Sequence, residues 1–156
     1  MLEKRRRKWW FTLHLGEVIQ LEIPCDTEYL SLARQALVGV ARCLQFKPSE
    51  IEDMTMAVGE ACTNAVRYSH GTRNVKIRCE ILRDGMTVEV GNAVGECEFP
   101  ELPVEPDLDK EGGLGLFIMH ALMDEVDLHR VPGYATVRMT KRAKSAGART
   151  GKRLPT

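Results

Sequence analysis

The sequence predicts a two-layer α/β sandwich: a mixed, mostly antiparallel sheet with helices on one face. Short segments alternate apolar and polar residues between turn dipeptides, and other segments repeat apolar residues every three or four positions. These types follow one another as strands, two helices, two strands, a long connection, a helix and two strands, with no internal repeat. At 156 residues the chain fits one domain that can bury a core without disulfide or metal staples.

From Trp9 the pattern alternates, with Trp9, Phe11, Leu13 and Leu15 on one side. Gly16 and Glu17 break it, and Ile19, Leu21 and Ile23 alternate again up to Pro24, which predicts a hairpin. Asp26 or Thr27 can cap a helix whose apolar stripe is Leu30, Ala33, Leu37, Val40, Ala41 and Leu44, ending near Phe46. Pro48 to Gly71 reads as a second helix packed antiparallel to the first. Ser49 with Glu52 is its expected capping box, Gly71 its expected left-handed stop, and Ile51, Met54, Val58, Ala61, Ala65 and Tyr68 its buried stripe.

Val75, Ile77, Cys79 and Ile81, then Met86, Val88 and Val90, predict a hairpin turning at Asp84-Gly85. Residues 95–111 hold three prolines and seven acids against one lysine, the composition of a lid or linker. Gly112-Gly113-Leu114-Gly115 then opens an apolar helix from Leu116 to Met123. Val126 and Leu128, with Ala135, Val137 and Met139, predict a last hairpin about Pro132-Gly133. The expected division is a basic, aromatic segment at 1–11, a domain at 12–140 and a disordered basic tail at 141–156.

The formal charge of zero hides an asymmetry. The first segment carries five Lys/Arg and the tail six, leaving 11 basic and 21 acidic residues, a net charge of −10, for 12–140. An acidic body is a poor nucleic-acid surface, so no direct nucleic-acid contact is expected of it. Five cysteines, odd in number and without a C-x-x-C pair, indicate reduced thiols and argue against a zinc site. No apolar run is long enough to span a membrane, and the expectation is a cytoplasmic protein. His14, His70, His120 and His129 are scattered and read as structural or surface residues.

The second helix carries chemistry on its polar face. Glu60 and Asn64 lie one turn apart, so a carboxylate and a carboxamide point the same way, with Arg67 continuing the row. A carboxylate offers a base or a metal ligand, and an amide oxygen is a neutral hard ligand of the kind Mg²⁺ accepts. Solvation alone would also explain such a pair. Glycines at 112, 113 and 115 before a helix free backbone N–H groups at its positive end, the arrangement that cradles phosphate; a flexible hinge would use the same residues.

Taken together these motifs resemble the GHKL (Bergerat-fold) ATPases and, within them, the small anti-sigma factor serine/threonine kinases of bacteria. E-A-C-T-N-A-V at Glu60 to Val66 resembles the family's N-box. G-G-L-G-L-F-I-M-H-A-L-M-D-E-V at Gly112 to Val126 is similar to its second glycine box, and L-A-R at Leu32 to Arg34 and P-G-Y-A-T-V-R-M at Pro132 to Met139 also fit. The resemblance covers about residues 18–140 and implies a histidine-kinase-like ATPase fold using ATP and Mg²⁺.

By that resemblance Glu60 is the catalytic base and Asn64 the Mg²⁺ ligand within the nucleotide site. Gly112, Gly113, Leu114, Gly115 and Leu116 form the phosphate-binding helix start, with Gly113 and Gly115 letting the lid end close. Arg34 lies on a partner-binding face. The implied partners are a sigma factor and an anti-anti-sigma (STAS) protein, with a homodimer as the usual assembly. One segment departs from the family. Where a D-x-G-x-G box with an adenine-binding Asp is expected, the chain reads Val90-Gly91-Asn92-Ala93-Val94-Gly95-Glu96, and no register restores the box. Asn92 can accept from adenine only through a neutral amide oxygen. The alternative implied by this departure is a non-catalytic partner-switching module with a degenerate nucleotide pocket.

Overall fold

The computed structural model describes residues 13–69, 74–93 and 113–144. Among the described residues five strands form one sheet: β1 (Val18–Pro24), β2 (Asn74–Leu82), β3 (Gly85–Ala93), β4 (Glu125–Val131) and β5 (Tyr134–Arg142), in the spatial order β1-β2-β3-β5-β4 with each of these pairings antiparallel. The helices are α1 (Leu30–Cys43), α2 (Pro48–Arg67) and α3 (Gly113–Leu122). The expected sandwich, mostly antiparallel with helices on one face, is the fold observed.

Strand alternation makes the two faces. Ile23 on β1, Val75, Ile77, Cys79 and Ile81 on β2, Met86, Val88 and Val90 on β3, and Val137 and Met139 on β5 are buried with Leu37, Met54, Val58 and Met119 from the helices in one core. The opposite face is polar. There Arg78 pairs with Glu80 and Glu89, and Arg138 with Glu89, so charges alternate across β2, β3 and β5. Burial pushes the Cys62 thiol up to about 12 and that of Cys79 to about 11, which makes both inert core residues at neutral pH.

The hairpins at 82–85 and 131–134 form as expected, the second through Pro132 and Gly133, whose φ of 79° glycine adopts without strain. The first expected hairpin does not appear in the described part. Leu13 to Leu15 are not strand, β1 pairs with β2, and Gly16 and Glu17 extend that pairing by bonding Ile81. Local alternation says nothing about which strand a segment pairs with; residues 9–12 lie outside the described residues, as do Gly71, the connection at 94–112 and Cys97. Asp26 caps, but it caps a 3₁₀ turn over Thr27–Tyr29 that leads into α1.

Helix α1 ends in a Schellman motif. Phe46 N–H bonds Ala41 O and Gln45 N–H bonds Arg42 O, which places Gln45 at φ 60° where a glycine is the usual residue. Helix α2 starts differently from the expectation: its N-cap is Lys47, Pro48 occupies the first turn, and Glu50, not Glu52, reaches back to accept from Lys47 N–H at 2.8 Å. A lysine side chain has no acceptor, so only this half of a capping box exists. Glu50 is 3% exposed because its other oxygen accepts from Lys144 N–H at 2.9 Å, ninety-four residues away. β5 therefore continues past the boundary expected at 141. Lys141 is itself buried, donating to Leu122 O at the end of α3 and to Asp53 on α2. The remainder of the expected tail, 145–156, lies outside the described residues.

Two stability measurements follow from these contacts. Gln45→Gly relieves a left-handed residue and is expected to raise unfolding free energy by about 0.5–1 kcal/mol in urea denaturation; a loss would contradict the strain. For Glu50, burial pushes the carboxyl up, but the Lys144 and Lys47 N–H donors and the charges of Lys47 and Lys141 outweigh it and hold the group below its ordinary 4.5. Its contribution is thus complete above pH 4.5 and is lost as pH falls through the lower folded value. Glu50→Gln should cost about 1–2 kcal/mol at pH 7, with the gap to the native protein closing below pH 4.5; a gap that does not change with pH would contradict this role.

Candidate functional site

Helix α2 carries the expected pair on a backbone of small residues. Ala57, Gly59, Ala61, Cys62 and Ala65 are buried, so neighbouring elements approach the helix axis closely, while Glu60 and Asn64 remain half-buried on the flank. α3 is the neighbour on that flank. A Cβ added to Gly115 would stand 3.0 Å from Glu60 Oε2 and 3.2 Å from Asn64 Nδ2, so the glycine backbone fits closely against both polar groups, which would have to give by a few tenths of an ångström to admit a side chain.

The structure thus brings Gly115 to Glu60 and Asn64, which lie more than fifty positions before it. Gly113, Leu114, Gly115 and Leu116 supply the first turn of α3, whose N–H groups have no partner within the helix and lie at its positive end. Leu114 is exposed and Leu116 packs partly on the core. Gly112 lies outside the described residues. Lys141, absent from the expected site, donates to Leu122 O and so holds the far end of α3. Nothing in its local sequence marks it, since an inward position on β5 reads as core.

Asn92 joins the same region from the sheet. Its position on β3 faces the helices, it is 2% exposed, and its Nδ2 donates to Ala65 O at 2.7 Å, beside Asn64 on α2. Because a carbonyl only accepts, the amide must turn its nitrogen to Ala65, leaving Oδ1 as a buried acceptor without a partner among the described residues. A buried, unpaired amide oxygen costs free energy unless a donor comes to it. Next to it, a Cβ on Gly91 would meet Tyr134 Oη at 2.7 Å and Thr136 Oγ1 at 2.9 Å on the other face. The residues suit a nucleotide with its metal: an acceptor under one end of α2, a carboxamide and a carboxylate on its flank, and first-turn N–H groups at the start of α3 that have no partner within the helix.

Arg34 is placed apart from this cluster. From α1 its guanidinium lies over Gly59, where a Cβ would be 3.0 Å from Nε and 3.1 Å from Nη2. It lines a groove of about 850 Å³ between α1 and α2 with Arg42, Val38, Ile51, Glu52 and Met56 among its walls. Glu60 belongs to this groove as well as to the Gly115 contact, whereas Asn64, Asn92 and Gly115 do not line it. The carboxylate thus stands where the groove and the α3 contact meet.

Comparison with known proteins identifies the family and the fold. The family model for the histidine kinase-like ATPase domain matches residues 23–141. The chain is similar to serine-protein kinase RsbW of Bacillus velezensis, with 36% identity over 80% of this chain and 85% of the relative. The protein of the same name in Bacillus subtilis is 36% identical over 81% and 86%, and that in Staphylococcus aureus 34% identical over 85% and 91%. Among solved structures, the RsbU and RsbW domains of a Mycobacterium tuberculosis protein superpose with a TM-score of 0.64 at 17% identity, covering 81% of this chain and 32% of that longer one. The SiaB–SiaC complex from Pseudomonas aeruginosa gives 0.60 at 20%, covering 78% and 88%. At those identities the two structures speak for the fold. No helix among the described residues is long and apolar enough to cross a membrane. The sequence matches, the fold and the arrangement around α2 lead to one conclusion: the chain belongs to the histidine kinase-like ATPase domain family.

Proposed function

We propose that this protein is an ATP-dependent serine/threonine protein kinase and anti-sigma factor of the partner-switching kind, a cytoplasmic regulator that binds a sigma factor and phosphorylates an anti-anti-sigma (STAS) partner. The observation that carries the proposal is the packing of Gly115 against Glu60 and Asn64, a carboxylate and a carboxamide beside a helix N-terminus, which supports a base and a neutral metal ligand at one point. The similarity to serine-protein kinases over four-fifths of the chain supports it. A homodimer belongs to the same reading.

Phosphoryl transfer asks a protein mainly for positioning and charge neutralisation. When bound, ATP would supply the phosphoryl group, and Mg²⁺ would offset the charge of its phosphates. In this reading Asn64 would hold the metal, and the N–H groups from Gly113 to Leu116 would hold the phosphates. Glu60 accepts the proton of the attacking hydroxyl, which reaches it from the α1–α2 groove. Arg34 and Arg42 on the groove wall bind the protein partner. Asn92 meets the base of the nucleotide.

The replacement of the expected acid by Asn92 favours a second reading, a partner-switching module that works through the groove without catalysis. Phosphotransfer from ATP to a STAS partner separates the two. Glu60→Gln is expected to lower the transfer rate by about 10²–10⁴ while Mg²⁺–ATP binding persists; undiminished transfer would remove Glu60 as the base. Gly115→Ala is expected to weaken Mg²⁺–ATP binding in calorimetry by at least about tenfold, as its Cβ displaces Glu60 and Asn64. A native protein whose affinity for its partner ignores ATP and Mg²⁺, and which transfers no phosphate, would establish the non-catalytic reading.

A further inference from the structure

Lys141 brings into the core a charge that the chemistry above does not use. Along β5 and just past it the inward positions run Val137, Met139, Lys141 and Ala143, so an ammonium group takes the place of an apolar side chain. Its side chain is 6% exposed. Taking an ammonium out of water is costly, and a methionine would fill the same space without that cost. In return Nζ donates to Leu122 O, on the last residue of α3, and to Asp53 Oδ2 on α2 at 3.4 Å. The Asp53 side chain is 40% exposed, so this ion pair by itself returns little.

What the contacts do supply is position. Apart from His120, α3 is made of glycine and apolar residues, and it packs along α2. Apolar contact is non-directional and lets one helix slide on another. A hydrogen bond to the end of the helix does not. Lys141 stands on the sheet and reaches both helices, so it fixes α3 along its axis relative to α2. About 10 Å back along the helix, Gly115 meets Glu60 and Asn64 so closely that an added Cβ would lie 3.0 and 3.2 Å from them. A helix moves as a rigid element, so a displacement at one end is felt at the other.

We propose that Lys141, with Asp53, is a positioning residue for the nucleotide site. From the far end of α3 it sets the axial place of the helix, and thereby the fit of the first turn of α3 and of the Glu60–Asn64 pair to Mg²⁺–ATP. The inference rests on the nucleotide reading above and adds to it a residue outside the site. A lysine that only filled the core would be exchangeable for methionine without effect on binding.

The test is calorimetric titration of the full chain with Mg²⁺–ATP, with amide hydrogen exchange of the nucleotide-free protein, for the native chain and for Lys141→Met, Lys141→Arg and Asp53→Asn. Lys141→Met is expected to bind Mg²⁺–ATP about ten- to a hundredfold more weakly. Its amides along α3 are expected to exchange faster while those of α1 and of β2 and β3 keep their native protection. Lys141→Arg, whose guanidinium can donate to both oxygens, is expected to return the affinity to within about threefold of native. Binding of Mg²⁺–ATP by Lys141→Met at native strength would overturn the inference whatever the stability of the variant. So would an arginine variant as weak as the methionine one, or faster exchange spread evenly over the chain. Absence of Mg²⁺–ATP binding by the native protein would overturn the nucleotide reading and this inference with it. If Lys141→Met does not fold, Asp53→Asn decides, by an affinity loss of about three- to tenfold against none.

Discussion

Close approach to α2 is the constraint on which the rest of the structure depends. The helix buries Ala57, Gly59, Ala61, Cys62 and Ala65, and around these small residues three neighbours come within contact of its backbone and polar flank. Arg34 of α1 fills the space above Gly59, Gly115 of α3 fits beside Glu60 and Asn64, and Asn92 of β3 bonds Ala65 O. A larger residue at Gly59 or Gly115 would move a functional group, because packed interiors accommodate added volume only by shifting their surroundings. Core packing and site geometry are in this sense one requirement.

That requirement gives the site its polarity. One end of α2 offers a carbonyl that orients Asn92, the flank offers Glu60 and Asn64, and the start of α3 offers N–H groups. The far ends are held by charge. Lys141 ties Leu122 O at the end of α3 to Asp53 on α2, and Glu50 ties the start of α2 to the end of β5. Rigid supports of this kind keep a carboxylate and an amide at fixed separation from backbone donors, which is what electrostatic catalysis of group transfer demands.

Much of this was legible in the sequence, and the exceptions share a cause. The stripe of α2, the alternation of β2 to β5 and the pairing of Glu60 with Asn64 are periodic signals, readable because periodicity is local. That the glycine-opened helix and that pair belong to one site was implied only by the family resemblance. The cap of α2 was not legible, because Glu50 is buried through a donor ninety-four residues away and so reads as an ordinary acid. Pairing of β1 with β2, and the buried place of Lys141 in β5, likewise depend on partners distant in sequence. The orientation of Asn92 depends on a backbone carbonyl, which leaves no mark on residue type.

The central claim is that nucleotide and metal gather around α2, with the α1–α2 groove left for protein. The most direct measurement is a crystal structure of the protein with Mg²⁺ and a non-hydrolysable ATP analogue. The account predicts the adenine amino group on Asn92 Oδ1, the metal on Asn64 and phosphate oxygens on the first turn of α3, with Glu60 open to the groove. A nucleotide seated in the groove beside Arg34, or bound without contact to Asn64 and Asn92, would contradict it.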